Sequence, residues 1–432
     1  MIARRARLVV SLGACVSGAT CAAPARPAVE RAATGDVVPA PRRPAVGELP
    51  VRIALATAAA SPGIGATVPW RITTVDGRLV ADGRADERWR VERQGRSIRA
   101  VRPDGAVTPW SGSSLVVRPT GAGYVTFEGK RYRGELMLHP LDSGVVVVNH
   151  TRMDDYLKGV VPLEIGRTRQ DAERAAVEAQ AVAARSYAFT RLASAGSRFW
   201  DLRGSVLDQA YGGVDAETPL ASRAVDATAG LVLRFGGRAV DAPYHAVCGG
   251  TTAAGSEVWR TGDQSYLRSV SDRIPGTNDR YWCDASPRFR WTATLERPAL
   301  NAVVSRYLSA YAAVPAGGPG AVRGVAVTSR TSSGRVGTLA LTTERGSYAL
   351  RGNEIRFVMR TPGSEILAST YFSPDVTMGA DGRVERVTLR GGGNGHGVGM
   401  CQWGAIGRAR AGHDFRRILE AYYSGATVGP AY

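Results

Sequence analysis

The sequence predicts an α+β fold dominated by β-sheet, with one long alanine-rich helix embedded in it. Three observations support this prediction. Short alternating apolar and polar runs, broken by glycine and aspartate, fill residues 51–150. A stretch rich in alanine, over about Asp171 to Leu192, has helical spacing of its small residues. Further strand-like runs follow this helix, so that sheet surrounds it on both sides in the sequence.

Composition limits the class of protein. The chain has 432 residues, of which 44% are hydrophobic and 22% charged, so it can bury a large core. Its formal net charge of +17 comes almost wholly from arginines, which are spread along the chain and form no runs. This argues against nucleic acid as a partner. A diffuse basic surface suits an acidic polymer such as a cell envelope, and the arginine usage of a GC-rich genome is the other explanation.

The N-terminal residues have the pattern of an export signal. Arginines at positions 4, 5 and 7 precede the apolar run Leu8–Val16, and small residues at positions 19–23 supply a cleavage site. We therefore expect a signal peptide over residues 1–23 and an exported protein, in the cell envelope or extracellular.

A spacer and an alternative anchor follow from the same region. Residues 24–50 are rich in Pro, Ala and Arg and are predicted to form a disordered spacer. The residues ending in Cys15 also resemble a lipoprotein signal, so a lipid on Cys15 is the only membrane attachment we expect. No stretch approaches the roughly 20 apolar residues of a membrane span.

Residues 51–150 are predicted to form a β-rich N-terminal unit. Asp-Gly and Glu-Gly pairs mark its turns. Its last strands run directly into the next segment, so no flexible linker is expected there. The predicted strands are Val51–Leu55, Trp70–Val75, Ser97–Arg102, Leu115–Arg118, Tyr124–Phe127, Arg133–Leu138 and Val145–Asn149.

The segment Tyr156–Glu164 reads YLKGVVPLE and leads into the long helix. Thr168 and Asp171 have the spacing of a cap for that helix, and Asp171 and Glu173 place negative charge where the helix dipole favours it. Many small residues share one helix face, which predicts close packing inside the protein.

Later segments add both strands and helices. Asp414 is predicted to cap the last helix, and Gly425 to end it. The other predicted elements are a hairpin of Gly230–Phe235 and Arg238–Asp241, a strand Arg290–Leu295, a helix Arg297–Tyr311, three strands over Ala321–Leu350 and a short helix Gly352–Val358.

Two motifs carry a resemblance to a known family. YLKGVVPLE followed by AVEAQAVAARSYA on the helix is similar to the signature of the SpoIID/LytB family, the stage II sporulation D and amidase-enhancer proteins. GHGVGMCQWGA, beginning at Gly395, resembles the other end of the same domain. The resemblance implies a SpoIID-like fold and a SpoIID/LytB-type catalytic domain over residues 151–432.

Glu164 is the candidate catalytic acid. A partly desolvated carboxyl group on a turn before the helix would have a raised pKa and could protonate a glycosidic oxygen. The resemblance implies that this Glu acts alone in a lytic transglycosylase, where most hydrolases use two carboxylates. Asp154 and Asp155 remain candidate partners. The alternative is a surface glutamate paired with Arg167 or Arg169.

Other residues of the motifs are candidates for the same site. Arg185, on the alanine-rich helix, either orients Glu164 or the sugar, or pairs with a buried acid. Tyr244 and His396 lie in segments that resemble the family and are candidates to bind substrate, although His396 can equally be structural. Gln402 and Trp403 are further candidates, because they offer an amide and a ring that stacks on sugars, although Trp403 can equally be part of the core. The glycines of residues 391–399 lack the spacing of nucleotide-binding loops, and are expected to let backbone approach a sugar or strand closely.

Three cysteines follow the predicted signal peptide. Cys248 and Cys283 are predicted to form a disulfide, which would stabilise the fold by about 4 kcal/mol on the chain-entropy estimate. No cofactor is then expected. Zinc is the alternative, with His245, Cys248 and Cys283 as ligands and Cys401 or His396 as a further one.

The sequence therefore predicts an exported lytic transglycosylase that cleaves MurNAc-GlcNAc bonds in peptidoglycan, during wall remodelling or sporulation. The main alternative is a non-enzymatic amidase enhancer that binds glycan and activates a partner cell-wall amidase. A structural envelope protein that binds through its β-rich first third is the remaining alternative.

Overall fold

The computed structural model describes residues 48–194, 196–259 and 262–431. The predicted signal peptide, Cys15 and the spacer up to residue 47 lie outside these ranges. Within them, the fold is α+β and rich in sheet, as predicted. None of the helices in this part of the chain combines the length and the apolar character needed to cross a bilayer.

The first hundred or so described residues consist of strands and turns. The predicted strands all form, and β2, β4, β5 and β9 below are additional ones. The bounds are β1 (Pro50–Ala59), β2 (Gly63–Ala66), β3 (Trp70–Thr74), β4 (Leu79–Gly83), β5 (Arg88–Gln94), β6 (Ser97–Val101), β7 (Leu115–Pro119), β8 (Val125–Phe127), β9 (Lys130–Tyr132), β10 (Glu135–Leu141) and β11 (Gly144–Arg152).

These strands form two sheets. One contains five strands in the order β6-β5-β2-β8-β9, and the other seven, in the order β12-β1-β11-β10-β7-β3-β4, where β12 is Leu202–Arg203. Trp70 and Trp89 are fully buried, with ring centroids 4.8 Å apart in an edge-to-face contact. Because β12 comes after the long helix and pairs with β1, the first strands share a sheet with the segment that carries the motifs.

The YLKGVVPLE segment is a helix, α1 (Met153–Ile165), which follows β11 directly. The turn expected at Glu164 is wrong, and the helix forms even though Pro162 removes one helical hydrogen bond. Burial explains the difference: Tyr156, Leu157, Val160 and Val161 are fully buried on one face of α1. Packing of that face outweighs the local cost of the proline.

The long helix α2 (Arg174–Leu192) forms close to its predicted bounds, after a 3₁₀ turn at Asp171–Glu173. The predicted cap of Thr168 and Asp171 is wrong. Gln170 and Glu173 form the capping box instead, with the Gln170 amide 3.1 Å from the Glu173 carboxylate. The small residues of α2 are buried, as predicted, and α1 and α3 (Pro219–Ala227) pack against them.

The later part of the chain forms a second hydrophobic core and then rejoins the main one. Residues 290–392 hold a second hydrophobic core, separate from the main one. Asp414 caps α8 as predicted, 2.8 Å from the Arg417 amide. The elements are β13 (Leu231–Phe235), β14 (Arg238–Ala239), β15 (Tyr244–His245), α4 (Gly255–Val258), β16 (Arg290–Glu296), α5 (Arg297–Tyr307), β17 (Val322–Arg330), β18 (Val336–Thr343), β19 (Gly346–Arg351), α6 (Asn353–Val358), β20 (Phe372–Met378), β21 (Val384–Gly392), β22 (Met400–Cys401), α7 (Gln402–Arg410), α8 (Phe415–Tyr422) and β23 (Thr427–Pro430).

The returning strands complete the wall of the site described below. β22 pairs in parallel with β15, and β23 pairs antiparallel with β13. The glycines before β22 allow this close approach, as predicted: at Gly399, which has φ 69°, a Cβ would lie 2.0 Å from the Pro243 carbonyl oxygen.

Candidate active site

A groove of about 770 Å³ lies at the C-terminal end of α1. Glu164 projects into it, and the opposite walls come from segments far away in the sequence. The polar or aromatic side chains that line it are Glu164, Tyr187, Arg191, Asp208, Asp241, Tyr244, Trp259, Gln264 and His396.

Two glycines, one inside α1 and one directly after it, set the position of Glu164. A Cβ at Gly159 would lie 2.7 Å from the Tyr211 ring, so only glycine allows this close packing of α1. Gly166 follows the helix with φ 107°, a conformation that favours glycine, and turns the chain away. Glu164 therefore sits in the last turn of a helix whose other face is buried.

The Glu164 carboxyl group is held by neutral donors. Its Oε1 accepts a hydrogen bond from the Ala210 amide at 2.9 Å, and the Tyr244 hydroxyl donates a second one. Both bonds favour the carboxylate, but burial is the larger effect and raises the pKa of Glu164. A raised pKa keeps more of this carboxyl protonated, as a general acid requires.

No ion pair opposes that effect among the residues that the structure describes. Arg167 donates to the Asp215 carbonyl at 3.1 Å, and Arg169 pairs with Glu173 at 3.4 Å. The alternative of a surface glutamate paired with either arginine is therefore wrong.

A chain of hydrogen bonds behind Glu164 fixes the direction of the Tyr244 proton. The Tyr156 hydroxyl donates to Gln209 Oε1 at 3.2 Å, and Gln209 Nε2 donates to the Tyr244 hydroxyl oxygen at 2.8 Å. Tyr244 thereby accepts from one side and is free to donate towards Glu164. Burial raises the pKa of both tyrosines well above the usual range, so both retain their protons.

Two further carboxylates line the groove, and neither was predicted. Asp208 accepts from the Tyr187 hydroxyl at 3.1 Å and from the Arg203 amide at 2.9 Å. Asp241 pairs with Arg191 at 3.3 Å, and burial raises the pKa of Asp241 in spite of that cation.

The carboxylates considered from the sequence are engaged elsewhere. Asp154 pairs with Arg185 at 2.8 Å, and Asp155 lies 3.9 Å from Arg133. Neither lines the groove that contains Glu164.

His396 lies in the groove, in line with its predicted placement. Its Nδ1 accepts from the Val398 amide at 3.1 Å, and its ring lies 5.2 Å from that of Trp259. Burial, helped by the cation of Arg356, lowers the pKa of His396 to about 4. The ring is therefore neutral near pH 7 and lines the groove without acting as an acid.

Comparisons with known proteins agree with the motifs. The family described as stage II sporulation protein (SpoIID) matches residues 142–235, which span α1, α2 and the loop with Ala210. Residues 276–399 match a domain of unknown function, DUF8618. A stage II sporulation protein D of Bacillus subtilis is 27% identical over 300 residues, covering 66% of this chain and 76% of that protein. These matches support a SpoIID/LytB family assignment for the chain.

Two other relatives widen the comparison. An uncharacterized protein of Brachyspira hyodysenteriae is 29% identical over 317 residues, covering 72% of this chain and 76% of the relative. The amidase enhancer of Bacillus subtilis is 28% identical over 355 residues, which cover 73% of this chain. The match spans only 47% of that amidase enhancer's own length.

Arg185 has a structural position. Its side chain is fully buried, and Nε donates to Asp154 at 2.8 Å. Its other nitrogens donate to the carbonyls of Val225 and Leu231 and to Thr228. The expectation that Arg185 orients Glu164 or the sugar is thus corrected in favour of pairing with a buried acid.

Gln402 and Trp403 lie outside the groove, which corrects their assignment as substrate-binding residues. Gln402 is 6% exposed and donates to Gln180 Oε1 of α2 at 3.2 Å. The Trp403 ring packs on the main core, with the Arg169 guanidinium 5.6 Å from its centroid. Both side chains dock α7 against its neighbours, whereas Tyr244 and His396 do line the groove.

The structure departs from the predicted disulfide and brings together the three cysteines named in the zinc alternative. Cys248 and Cys283 are free thiols with sulfurs 3.4 Å apart, so the structure lacks the predicted disulfide. His245 interacts with Cys248 but does not belong to the group of ligand atoms that meet there, and its Nδ1 lies 3.1 Å from the Val398 carbonyl oxygen. Cys401 and Asp272 lie beside the two cysteines instead.

Proposed function

We propose that this protein is an exported lytic transglycosylase that cuts peptidoglycan glycan strands between N-acetylmuramic acid and N-acetylglucosamine. The observation that carries the proposal is the Glu164 carboxyl group: it lies in a groove, burial raises its pKa, and its partners in the described structure are neutral donors. The motif that places it there is the SpoIID motif.

Each partner of Glu164 has a role in the proposed reaction. Protonated Glu164 gives its proton to the glycosidic oxygen as the bond to the anomeric carbon breaks. The C6 hydroxyl of the same muramic acid attacks that carbon, and the Glu164 carboxylate takes the hydroxyl proton. No water is consumed, and the product carries a 1,6-anhydro ring. The Ala210 amide and Tyr244 hydroxyl stabilise the carboxylate between the two transfers.

The groove suits a sugar chain. Its volume lies in the range of sites that enclose a small organic ligand, from about 300 to 1,000 Å³. Val206 and Leu207 stand at its edge with 90% and 70% of their surfaces exposed, next to Tyr187 and Trp259. Exposed apolar and aromatic surface of this kind packs on the CH faces of sugars. Carboxylates and amides of the groove can accept or donate hydrogen bonds to sugar hydroxyls.

A non-enzymatic role is the second candidate, favoured by the similarity to the amidase enhancer. In that case the same groove binds glycan, and the protein recruits or activates a cell-wall amidase. Glu164 would then contribute to binding alone. A role in sporulation or wall remodelling is proposed for either candidate from the names of the relatives.

The test is mass spectrometry of peptide-free glycan strands after incubation with the purified protein. We expect anhydro-muramic ends with the parent and a loss of roughly 100-fold or more with Glu164→Gln, the usual contribution of a general acid. Glu420→Gln is the matched control, because Glu420 is exposed on α8 and the same atoms change. Glycan binding without products from any of the three proteins would favour the enhancer. Equal product from Glu164→Gln and parent would refute the assignment of the acid.

A further inference from the structure

Four buried side chains converge at one point, away from the residues that line the Glu164 groove. They are Cys248, Asp272, Cys283 and Cys401, and their sulfur and carboxylate oxygen atoms all lie within 4.8 Å of one another. They come from four separate segments, so no local motif explains their meeting. Three thiols and a carboxylate that are all buried are a costly set unless something neutralises their charge or holds their protons.

The spacing of these atoms is that of ligands around a small metal ion. In a tetrahedral zinc site, Zn–S bonds of about 2.3 Å and Zn–O bonds of about 2.1 Å place sulfurs about 3.8 Å apart and sulfur and oxygen about 3.6 Å apart. The structure has 3.4 Å between Cys248 and Cys283 sulfurs and 3.5 Å between the Cys248 sulfur and Asp272 Oδ2. Four ligand atoms are the complete set of a structural zinc site.

The surroundings orient the carboxylate as they do in metal sites. Asp272 Oδ1 accepts a hydrogen bond from the Tyr422 hydroxyl at 2.7 Å and lies 3.4 Å from Arg408. These partners occupy one oxygen and leave Oδ2 directed at Cys248. A ligand held in this way by a second layer of partners is typical of protein metal centres.

Backbone amides donate hydrogen bonds to two of the three sulfurs. Cys401 Sγ lies 3.2 Å from the Cys248 amide nitrogen and 3.3 Å from that of Gly404, and both amides donate to it. The Gly250 amide donates to Cys248 Sγ at 3.4 Å. Donors directed at sulfur favour a thiolate over a thiol.

Buried cations complete the charge balance. A zinc ion with three thiolates and one carboxylate carries a net charge of about −2. Arg408 contacts Asp272, and the fully buried Arg335 donates to the Cys248 carbonyl at 2.8 Å. Arg335 Nε and Nη1 have no hydrogen-bond partner in the described part of the chain. Its charge is therefore available to compensate that of the cluster.

We propose that Cys248, Asp272, Cys283 and Cys401 bind one zinc ion in a closed structural site. Binding releases the thiol protons to solvent. It also joins the segment that follows β15 to β22, and Tyr244 of β15 faces Glu164. The site connects the segment before residues 290–392 with the segment after them. It stands independently of the proposed reaction, because its ligands do not line the groove.

The test is the metal content of the full chain, purified without added metal or chelator and measured by inductively coupled plasma mass spectrometry. We expect about one zinc per chain, lost in Cys283→Ser and in Cys401→Ser. Asp375→Asn is the control and should keep the zinc, since Asp375 is exposed and lies outside the cluster. His245→Asn should keep it as well, which separates this ligand set from one that includes His245.

A second measurement covers the case in which serine variants fail to fold. Replacement of the bound metal by Co²⁺ in the parent should give the thiolate charge-transfer absorption of a tetrahedral site. In Asp272→Cys the metal should remain and that absorption should rise by about a third, because four thiolates replace three. Peptide mapping that finds a Cys248–Cys283 disulfide and no bound metal in the parent would overturn the proposal. So would a zinc content that neither serine variant changes.

Discussion

The buried pair of Arg185 and Asp154 gives the sharpest test of the corrected role of Arg185. The Arg185 side chain is fully buried and that of Asp154 is 19% exposed, with Nε and the carboxylate 2.8 Å apart. Asp154→Ala would leave Arg185 with neutral carbonyl and hydroxyl partners only. Breaking a buried pair on one side costs about 3–5 kcal/mol, because an uncompensated charge stays in the interior. We expect a loss of that size in the free energy of unfolding.

Urea unfolding measures this loss, and an unchanged dependence on urea concentration would show that the parent and variant unfold comparably. Asp375→Ala is the matched control. Asp375 and Arg390 are 3.0 Å apart, but both side chains are more than 60% exposed. An exposed pair contributes at most about 1 kcal/mol, so the control should unfold close to the parent.

Activity separates a structural role from a catalytic one. Assayed well below its unfolding transition, Asp154→Ala should retain glycan cleavage within a few-fold of the parent, with an unchanged pH profile. A variant as stable as the parent would refute the reasoning from burial. A variant that is stable but inactive would return Arg185 and Asp154 to the catalytic machinery.

Two further predictions concern the Glu164 carboxyl group. The hydrogen bond from Tyr244 lowers the pKa of Glu164, so Tyr244→Phe should raise that pKa and move the alkaline limb of the pH dependence of kcat/KM to higher pH; an unmoved or lowered limb would contradict the bond. Burial raises the folded-state pKa of Glu164 above its ordinary value of 4.5. The folded protein therefore binds this proton more tightly than the unfolded chain does. Its stability falls as pH rises from 4.5 through the folded-state pKa. Glu164→Gln does not titrate, and its unfolding free energy relative to the parent should therefore increase over that interval; a difference independent of pH would contradict the raised pKa.

The sequence predicted what depends on local pattern. Alternation of β-branched residues located the N-terminal strands, and alanine spacing located α2, because each signal is contained within one element. α1 was missed because its proline argues against a helix, while the packing that compensates involves residues beyond the segment, including Tyr211. The cap of α2 was misplaced by two residues, since several polar residues there have capping spacing.

The partners of the site were beyond local pattern. Ala210 is 46 residues from Glu164, and Gln209 is 35 residues from Tyr244. Neither an alanine amide nor a single glutamine has a sequence signal. Asp272 was missed for the same reason, although cysteine identity did bring Cys248 and Cys283 together. The motif did supply Glu164, because the residue that does the proposed chemistry lies inside it.

The isolation of Glu164 from cations is a property of the fold that composition would not suggest. The chain carries 55 lysines and arginines against 38 acidic residues, and Arg167 and Arg169 follow Glu164 closely. The positive φ of Gly166 turns the chain at the end of α1, after which both arginines bind other partners. An arginine beside Glu164 would lower the pKa of its carboxyl group and remove the proton that the proposed reaction needs. In a basic protein, an acid of this kind requires that its neighbouring cations bind elsewhere: here Arg169 pairs with Glu173, and Arg167 donates to the backbone carbonyl of Asp215.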